Sequence, residues 1–483
     1  MVPQEASEES ITRSGFHHEL EDTKSDARSL VTFDGPDDVY NPLNWPFSKK
    51  LKNTLLYGFT TMGSTWASSI FGVGPLIWAP VSELYGRKVS ILPPFFIAAC
   101  FVFGTATAKD LQTVMITRFF TGLFGSAPVT NTGGVMADMW PPRDRAVAMA
   151  GYAFAVAGGP LVAPVVGGAI DQSYLGWRWT HYITGMLICF IFLVDIVFMD
   201  ETFAPVLLVY KAPQLRLQSG NWALHTTHEE WDPSLGQFAQ KFLSLPFQML
   251  FDPIGFLFSV YAAFVFGILY LTFASFPIAF QEERHWNEVQ GGLPFLSIIL
   301  GTIIGSAINI SNQKFYIAKL QANNGVPVPE ARLPPVILGA VVFAAGNFIF
   351  GWTSSKHIHW IGEMIGAASI GIGFFSIFQG SINYMVDTFT KYSASAVAAM
   401  TFLRCILAGI LPLIAGPMFH NLGVNWASSL IGFIAAGMVP IPILFYLYGA
   451  RIRARGRWSR PPQPESGAQK GSAGNGRGER ATV

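Results

Sequence analysis

The chain has 483 residues, of which 51% are apolar and only 13% charged, against roughly 25% charged in an ordinary soluble domain. Its 31 basic and 30 acidic residues leave a net charge of +1, which excludes a nucleic-acid surface built on a basic field. Residues 1–50 carry 15 of these charges and 451–483 carry 10, so the 400 residues between hold 36, about 9%; this excludes a cytosolic enzyme and indicates a polytopic membrane protein with hydrophilic tails.

In chain order, residues 1–50 are polar and acidic (EASEES, HHELED) with no early apolar stretch. No cleavable signal peptide is expected, and the first spanning helix serves as the insertion signal. A spanning helix needs about 20 mostly apolar residues. Such runs fall at 53–80, 89–108, 111–137, 146–170, 181–199, 253–280, 291–312, 334–353, 360–386, 393–419 and 426–448. They predict an all-α polytopic bundle of about 11 spans. The polar stretch around 200–250 divides the spans into two halves, as in transporters built from repeats. The expected organisation is a cytoplasmic disordered tail over 1–50, an N-terminal transmembrane half over 51–200, and a cytoplasmic connector over 201–250. A C-terminal transmembrane half over 251–450 and a basic disordered tail over 451–483 follow.

Most basic residues lie in alternate loops: YGRK (85–88), PPRDR (141–145), the connector with Lys211, Arg216 and Lys241, the 314–332 loop with Lys314, Lys319 and Arg332, Lys391, and the tail RIRARGRWSR. The positive-inside rule makes these cytoplasmic and places Lys109, Arg178, Arg284 and Lys356 on the other side. The cysteines Cys100, Cys189 and Cys405 sit far apart inside apolar runs, so neither a disulfide framework nor a zinc site is expected. The sequon Asn309-Ile-Ser311 is buried in an apolar run and is not expected to carry a glycan. The chain holds no Walker loop, no H-E-x-x-H and no G-x-S-x-G, so no enzyme activity, metal or cofactor is expected, and transport must draw on an ion gradient.

Seven motifs then stand in order: GPLIWAPVSELYGRK (74–88), TRFFTGLFG (117–125), AGGPLVAPVVGG (157–168), LGWRW (175–179), DETFAPVLL (200–208), PEARLPP (329–335) and NYMVD…SASAVAAMTFLR (383–404). Together they resemble the major facilitator superfamily, and within it the fungal twelve-helix drug:proton antiporters, over about residues 40–455. The resemblance implies a two-half helical bundle with a central cavity, working as a monomer in the plasma or vacuolar membrane on a small molecule and protons.

Each motif also has a reading from its residues. Glu83, Gly86, Arg87 and Lys88 place opposite charges around a tight turn, where they can bridge helix ends as a cytoplasmic gate; an ordinary basic loop would show the same residues. Family members have a Gly near the start of this motif and an Asp in its middle, where Ala79 and Glu83 stand here. Arg118 lies in an apolar helix four residues before Gly122; it must face the bundle interior with a partner or reach the outer interface. The resemblance assigns it to proton coupling. Gly151, Ala155, Gly159, Ala163 and Gly167 form a small-residue stripe, with Pro160 and Pro164 as hinge points and Gly168 beside it. That stripe is structural by itself and an antiporter-type interface helix by resemblance. Asn131, Glu363, Gln379, Asn383, Tyr384 and Arg404 are cavity candidates; Glu363 is either a proton carrier or a residue wetted near the outer interface. Arg404 matches a basic residue in the family's pattern, whereas Asp195, also mid-run, matches no motif.

One region departs from the family. Only 31 residues separate Lys52 from Glu83, where two full spans and a loop need about 60. Residues 51–71 read as the first helix and 72–80 as the last third of the second, joined directly near 71–75. Gly72, Gly74 and Pro75 favour a break and a re-entrant stub over one long tilted helix. A lost exon or a degenerate gene is the expected cause. The expected function is proton-coupled efflux of a small hydrophobic or amphipathic compound, a drug or a secondary metabolite. The alternatives are a polyamine or nutrient carrier, or a transport-dead sensor or scaffold.

Overall fold

The computed structural model describes residues 30–33, 38–67, 74–141, 144–229, 245–323, 326–389 and 393–455. Most of both tails, Gly72, Arg143, Lys241 and Lys391 lie outside the described residues. Within them the secondary structure is helical, apart from one isolated bridge between Leu30 and His225.

The first half comprises α1 (Phe47–Ala67), α2 (Gly74–Tyr85), α3 (Arg87–Thr107), α4 (Leu111–Met139), α5 (Arg145–Asp171) and α6 (Trp177–Phe198). The connector forms α7 (Ala204–Ser219) and the short α8 (Leu245–Leu250). The second half comprises α9 (Pro253–Phe276), α10 (Glu288–Gly292), α11 (Pro294–Ala322), α12 (Pro334–Thr353), α13 (Ile361–Thr388), α14 (Ser393–Met438) and α15 (Pro440–Arg455). Eight helical stretches among the described residues are long and apolar enough to cross a membrane. The last of them, Ala396–Ala454, reverses at Gly423, whose backbone sits at φ 74°, so it crosses twice. With the more polar α4 that makes ten full crossings among the described residues, and α1 and α2 enter the bundle in addition.

Helix ends follow local chemistry. The Asp110 side chain accepts from the Thr113 backbone N–H at 3.0 Å and opens α4. Asn287 and Gln290 form a capping box for α10, and Pro253, Pro294 and Pro334 stand in first turns, where a missing N–H costs nothing. After α9 the chain continues as a π-turn, Pro277–Glu283.

Four sequence expectations change. Residues 38–50 are not a free tail: Asp38 pairs with Lys211 of α7 at 2.6 Å, both nearly buried, and α1 begins at Phe47. The polar connector contains a helix the sequence reading did not specify, α7, which starts with Pro205 in its first turn and ends at Gly220 in the left-handed region. The 314–332 loop is shorter than expected, since α11 runs on to Ala322 with Gln313 and Tyr316 buried. The basic tail begins only after Arg455, because Arg453 is tied to Glu330.

The junction near 71–75 separates α1, of 21 residues, from the 12-residue α2. Gly74 lies against Ser126 and the Leu123 carbonyl, midway along α4, and Trp78 Nε1 donates to that carbonyl at 2.8 Å. Thr65 donates to the Ala155 carbonyl at 3.4 Å, about 15 Å along α5 from its start. Both α1 and α2 therefore occupy one end of the bundle and stop near its middle. This is the stub geometry expected from the sequence, extended to both helices.

Candidate functional site: a seam between two helical halves

The basic end of the first half is organised around Gly86. Its φ of 93° suits only glycine, and a Cβ there would lie 2.6 Å from Glu201 Oε2. Glu201 accepts backbone N–H bonds from Arg87, Thr202 and Phe203 through Oε1 (2.8–2.9 Å) and from Lys88 through Oε2 (2.9 Å). A carboxylate thus caps the positive end of α3. Arg87 donates from Nε to Asp138 at 2.9 Å and from Nη1 to Ser82 at 2.7 Å. Its guanidinium crosses Gly134, where a Cβ would come within 2.9 Å. Lys88 Nζ donates to the Met199 carbonyl at 2.7 Å. The expected gate residues do gather, but the groups that Arg87 and Lys88 hold all belong to the first half rather than bridging the halves.

The second half repeats the arrangement. Arg332 Nε donates to Asp387 at 3.0 Å and Nη1 to Gln313 at 2.8 Å, with its guanidinium 3.3 Å from the Tyr316 ring centroid. Glu330, in the same turn, takes two hydrogen bonds from Arg453 of α15 at 3.0 and 2.9 Å.

Between these clusters lies a cavity of about 250 Å³. Glu83, Arg87, Asn131, Asp138 and Arg145 line it from the first half, and Asn383, Thr401 and Arg404 from the second. Arg404 stands at its deep end, with its guanidinium 4.6 Å and 5.0 Å from the Phe266 and Phe378 centroids. Gln379 and Tyr384 are not among its lining residues; Tyr384 is stacked on Phe258 at 4.5 Å. Glu363 is not wetted either. It is fully buried, in charge contact with Arg284 at 2.9 Å, and Arg284 also donates to the carbonyls of Thr353, Ser355 and Ile358. Asp195 is buried between α1 and α6, where it accepts from Thr60 at 2.6 Å.

A second pocket, about 480 Å³, opens at the other end. Arg118, Gly167, Gly168, Asp171, His181 and Glu288 are among its lining residues. Arg118 Nη2 lies 3.1 Å from His181 Nε2. A guanidinium can only donate, so Nε2 accepts and this imidazole is neutral. Beside the pocket α5 meets the second half closely: a Cβ on Gly168 would reach the Glu288 carbonyl at 2.9 Å, and one on Gly292 the Val165 Cα at 3.0 Å. Gly159 and Pro160 are buried and Pro164 lines the pocket, while Gly151 faces outward with nothing within 4 Å.

The family model of the Major Facilitator Superfamily matches residues 38–412. The chain belongs to that superfamily. Among its relatives, efflux pump bik6 of Gibberella fujikuroi is 44% identical, covering 91% of this chain and 97% of the relative. A citrinin biosynthesis cluster transporter of Monascus ruber is 39% identical over 89% and 92% of the two chains. The multidrug transporter FLU1 of Candida albicans is 36% identical over 89% and 76%. This superfamily member is thus a multi-pass membrane transporter and not an enzyme. The bik6 alignment spans 472 positions yet takes in only 91% of the 483 residues, about 440, so about thirty positions of that relative lack a counterpart here.

Sequence reasoning missed Asp138, Glu201, Gly134 and His181. Asp138 and Glu201 stood in plain view, in ADMW and DETF, but their partner Arg87 is 51 and 114 residues away.

Proposed function

We propose that this transporter exports a small hydrophobic or amphipathic compound, a drug or a secondary metabolite, across the plasma membrane in exchange for protons. Its relatives, which include an efflux pump, a multidrug transporter and a biosynthetic-cluster transporter, support export. The observation that carries proton coupling is the Arg118–His181 contact. Protonating His181 would set two cations 3.1 Å apart, so the ring must leave Arg118. Asp171 and Glu288 line the same pocket and offer carboxylates to either cation. Because the pocket adjoins the close packing of α5 on α10 and α11, that exchange acts on the seam itself.

Proteoliposomes with an imposed pH gradient test this. Gradient-driven flux that a protonophore collapses and that Arg118→Ala uncouples is expected. Flux indifferent to the gradient, or an Arg118→Ala protein that pumps normally, overturns proton coupling. The ending of α1 and α2 near mid-bundle favours a second reading, a transport-inactive sensor or scaffold. Folded protein that moves nothing in a broad compound panel would establish that reading instead.

A further inference from the structure

Arg404 is the cavity residue whose chemistry is left incomplete. It is only 4% exposed, near the middle of the bundle, about 16 Å along α14 from Ser393. Its Nε hydrogen-bonds nothing, and no ion pair to it occurs among the described residues. The two carboxylates of the cavity serve another group: Asp138 pairs with Arg87, and Glu83 acts on the same arginine. Arg145 is directed at backbone carbonyls, donating to Ala137 at 3.2 Å and Trp140 at 3.4 Å. The lining therefore holds three guanidiniums against two carboxylates; both carboxylates serve Arg87, and of the other two arginines Arg404 is the one whose Nε finds no acceptor. The faces of Phe266 and Phe378 attract the cation but bring no negative charge. A cation held inside a membrane protein without a counter-ion is costly, and a ligand can supply what the chain does not.

We propose that the deep end of this cavity binds an organic anion, its carboxylate or phenolate on Arg404 and its apolar body against the lining side chains of Val129, Met149 and Tyr152. Asn131 lines the cavity from the facing helix; its Nδ2 donates to Ser90, and its buried, unpartnered Oδ1 is an acceptor suited to a hydroxyl of the ligand rather than to the anionic oxygen. The 250 Å³ of space suits a body of one or two fused rings. The inference deepens the export reading by naming the charge of the cargo. An anion leaving a negatively charged cell interior also moves with the membrane potential rather than against it.

The test uses the full chain in nanodiscs and two probes of one shape and opposite charge, 1-naphthoate and 1-naphthylmethylammonium, by equilibrium dialysis. Wild-type protein should bind naphthoate at least about tenfold more tightly than the ammonium probe, a charge-assisted contact's worth. Arg404→Gln should abolish that preference and Arg404→Lys should keep most of it. Equal or tighter binding of the ammonium probe, or a folded Arg404→Gln protein with its preference intact, overturns the proposal. Should both variants misfold, the wild-type comparison of the two probes decides alone. Counterflow of the same probes in proteoliposomes separates the two ideas. Anion-selective binding without flux sinks the export reading and sustains this one; flux without anion preference does the reverse.

Discussion

The two halves solve one problem with different materials. Each places an arginine at the start of its third spanning helix and an aspartate near the end of its fourth: Arg87 with Asp138, and Arg332 with Asp387. Each also ties this cluster to the end of its last spanning helix, but with the charges exchanged. In the first half the acid, Glu201, follows α6 and grips the turn; in the second the acid, Glu330, sits in the turn and the base, Arg453, on α15. The ion-pair plan is shared, while the helices are not: α1 and α2 stop near mid-bundle and their second-half counterparts α9 and α11 run full length. The plan at the basic end is thus complete although α1 and α2 stop near mid-bundle.

Unequal loss from matched substitutions would break this comparison. Asp138→Ala and Asp387→Ala each leave a mostly buried guanidinium short of its carboxylate, and each should cost about 3 kcal/mol in thermal or denaturant unfolding in detergent. Losses differing more than twofold would show that the repeat is one of geometry only. Gly86→Ala comes next. It forces an L-residue to φ 93° and crowds Glu201, and should cost about 1–3 kcal/mol. The second half reaches Arg332 by the 3₁₀ turn Pro329–Arg332, which contains no positive φ, so no substitution there should match it. The smallest effect concerns Asp200. Burial raises its carboxyl, but hydrogen bonds from Lys52 at 2.8 Å and Asn53 at 3.0 Å outweigh that and hold it below the usual carboxylate range. A depressed folded value means stability present above the unfolded value, near pH 4, and lost as pH falls further. The pair is largely exposed, so screening limits it to about 0.2–1 kcal/mol, and Asp200→Asn should remove that acid-side slope from the unfolding profile.

Much of this architecture was legible in the amino-acid order. Apolar runs located the spans, the polar stretch located the division, and the 31-residue interval between Lys52 and Glu83 located the shortfall. Arg118, Asn131 and Arg404 were marked because a polar group in an apolar run is conspicuous. Their partners were not legible. His181 meets Arg118 from 63 residues away, and Phe266 reaches Arg404 across the bundle, contacts that helix crossing creates and no local spacing records. Tyr384 and Glu363 illustrate the converse. Polarity marked them too, yet the ring is packed in an aromatic stack and the carboxylate faces an arginine, and composition cannot tell a group packed away in the bundle from one that faces the cavity.

Gly423 has a practical consequence. Because α14 reverses on this single residue, its two arms share almost no linking chain, and the neighbouring connections at that end are also brief: 108–110, 172–176 and 354–360. That face offers proteases and antibodies little to grip. An epitope tag inserted at 423 would have to pry the hairpin apart, whereas 354–360 is the longest of these connections and the better place for a label on that face.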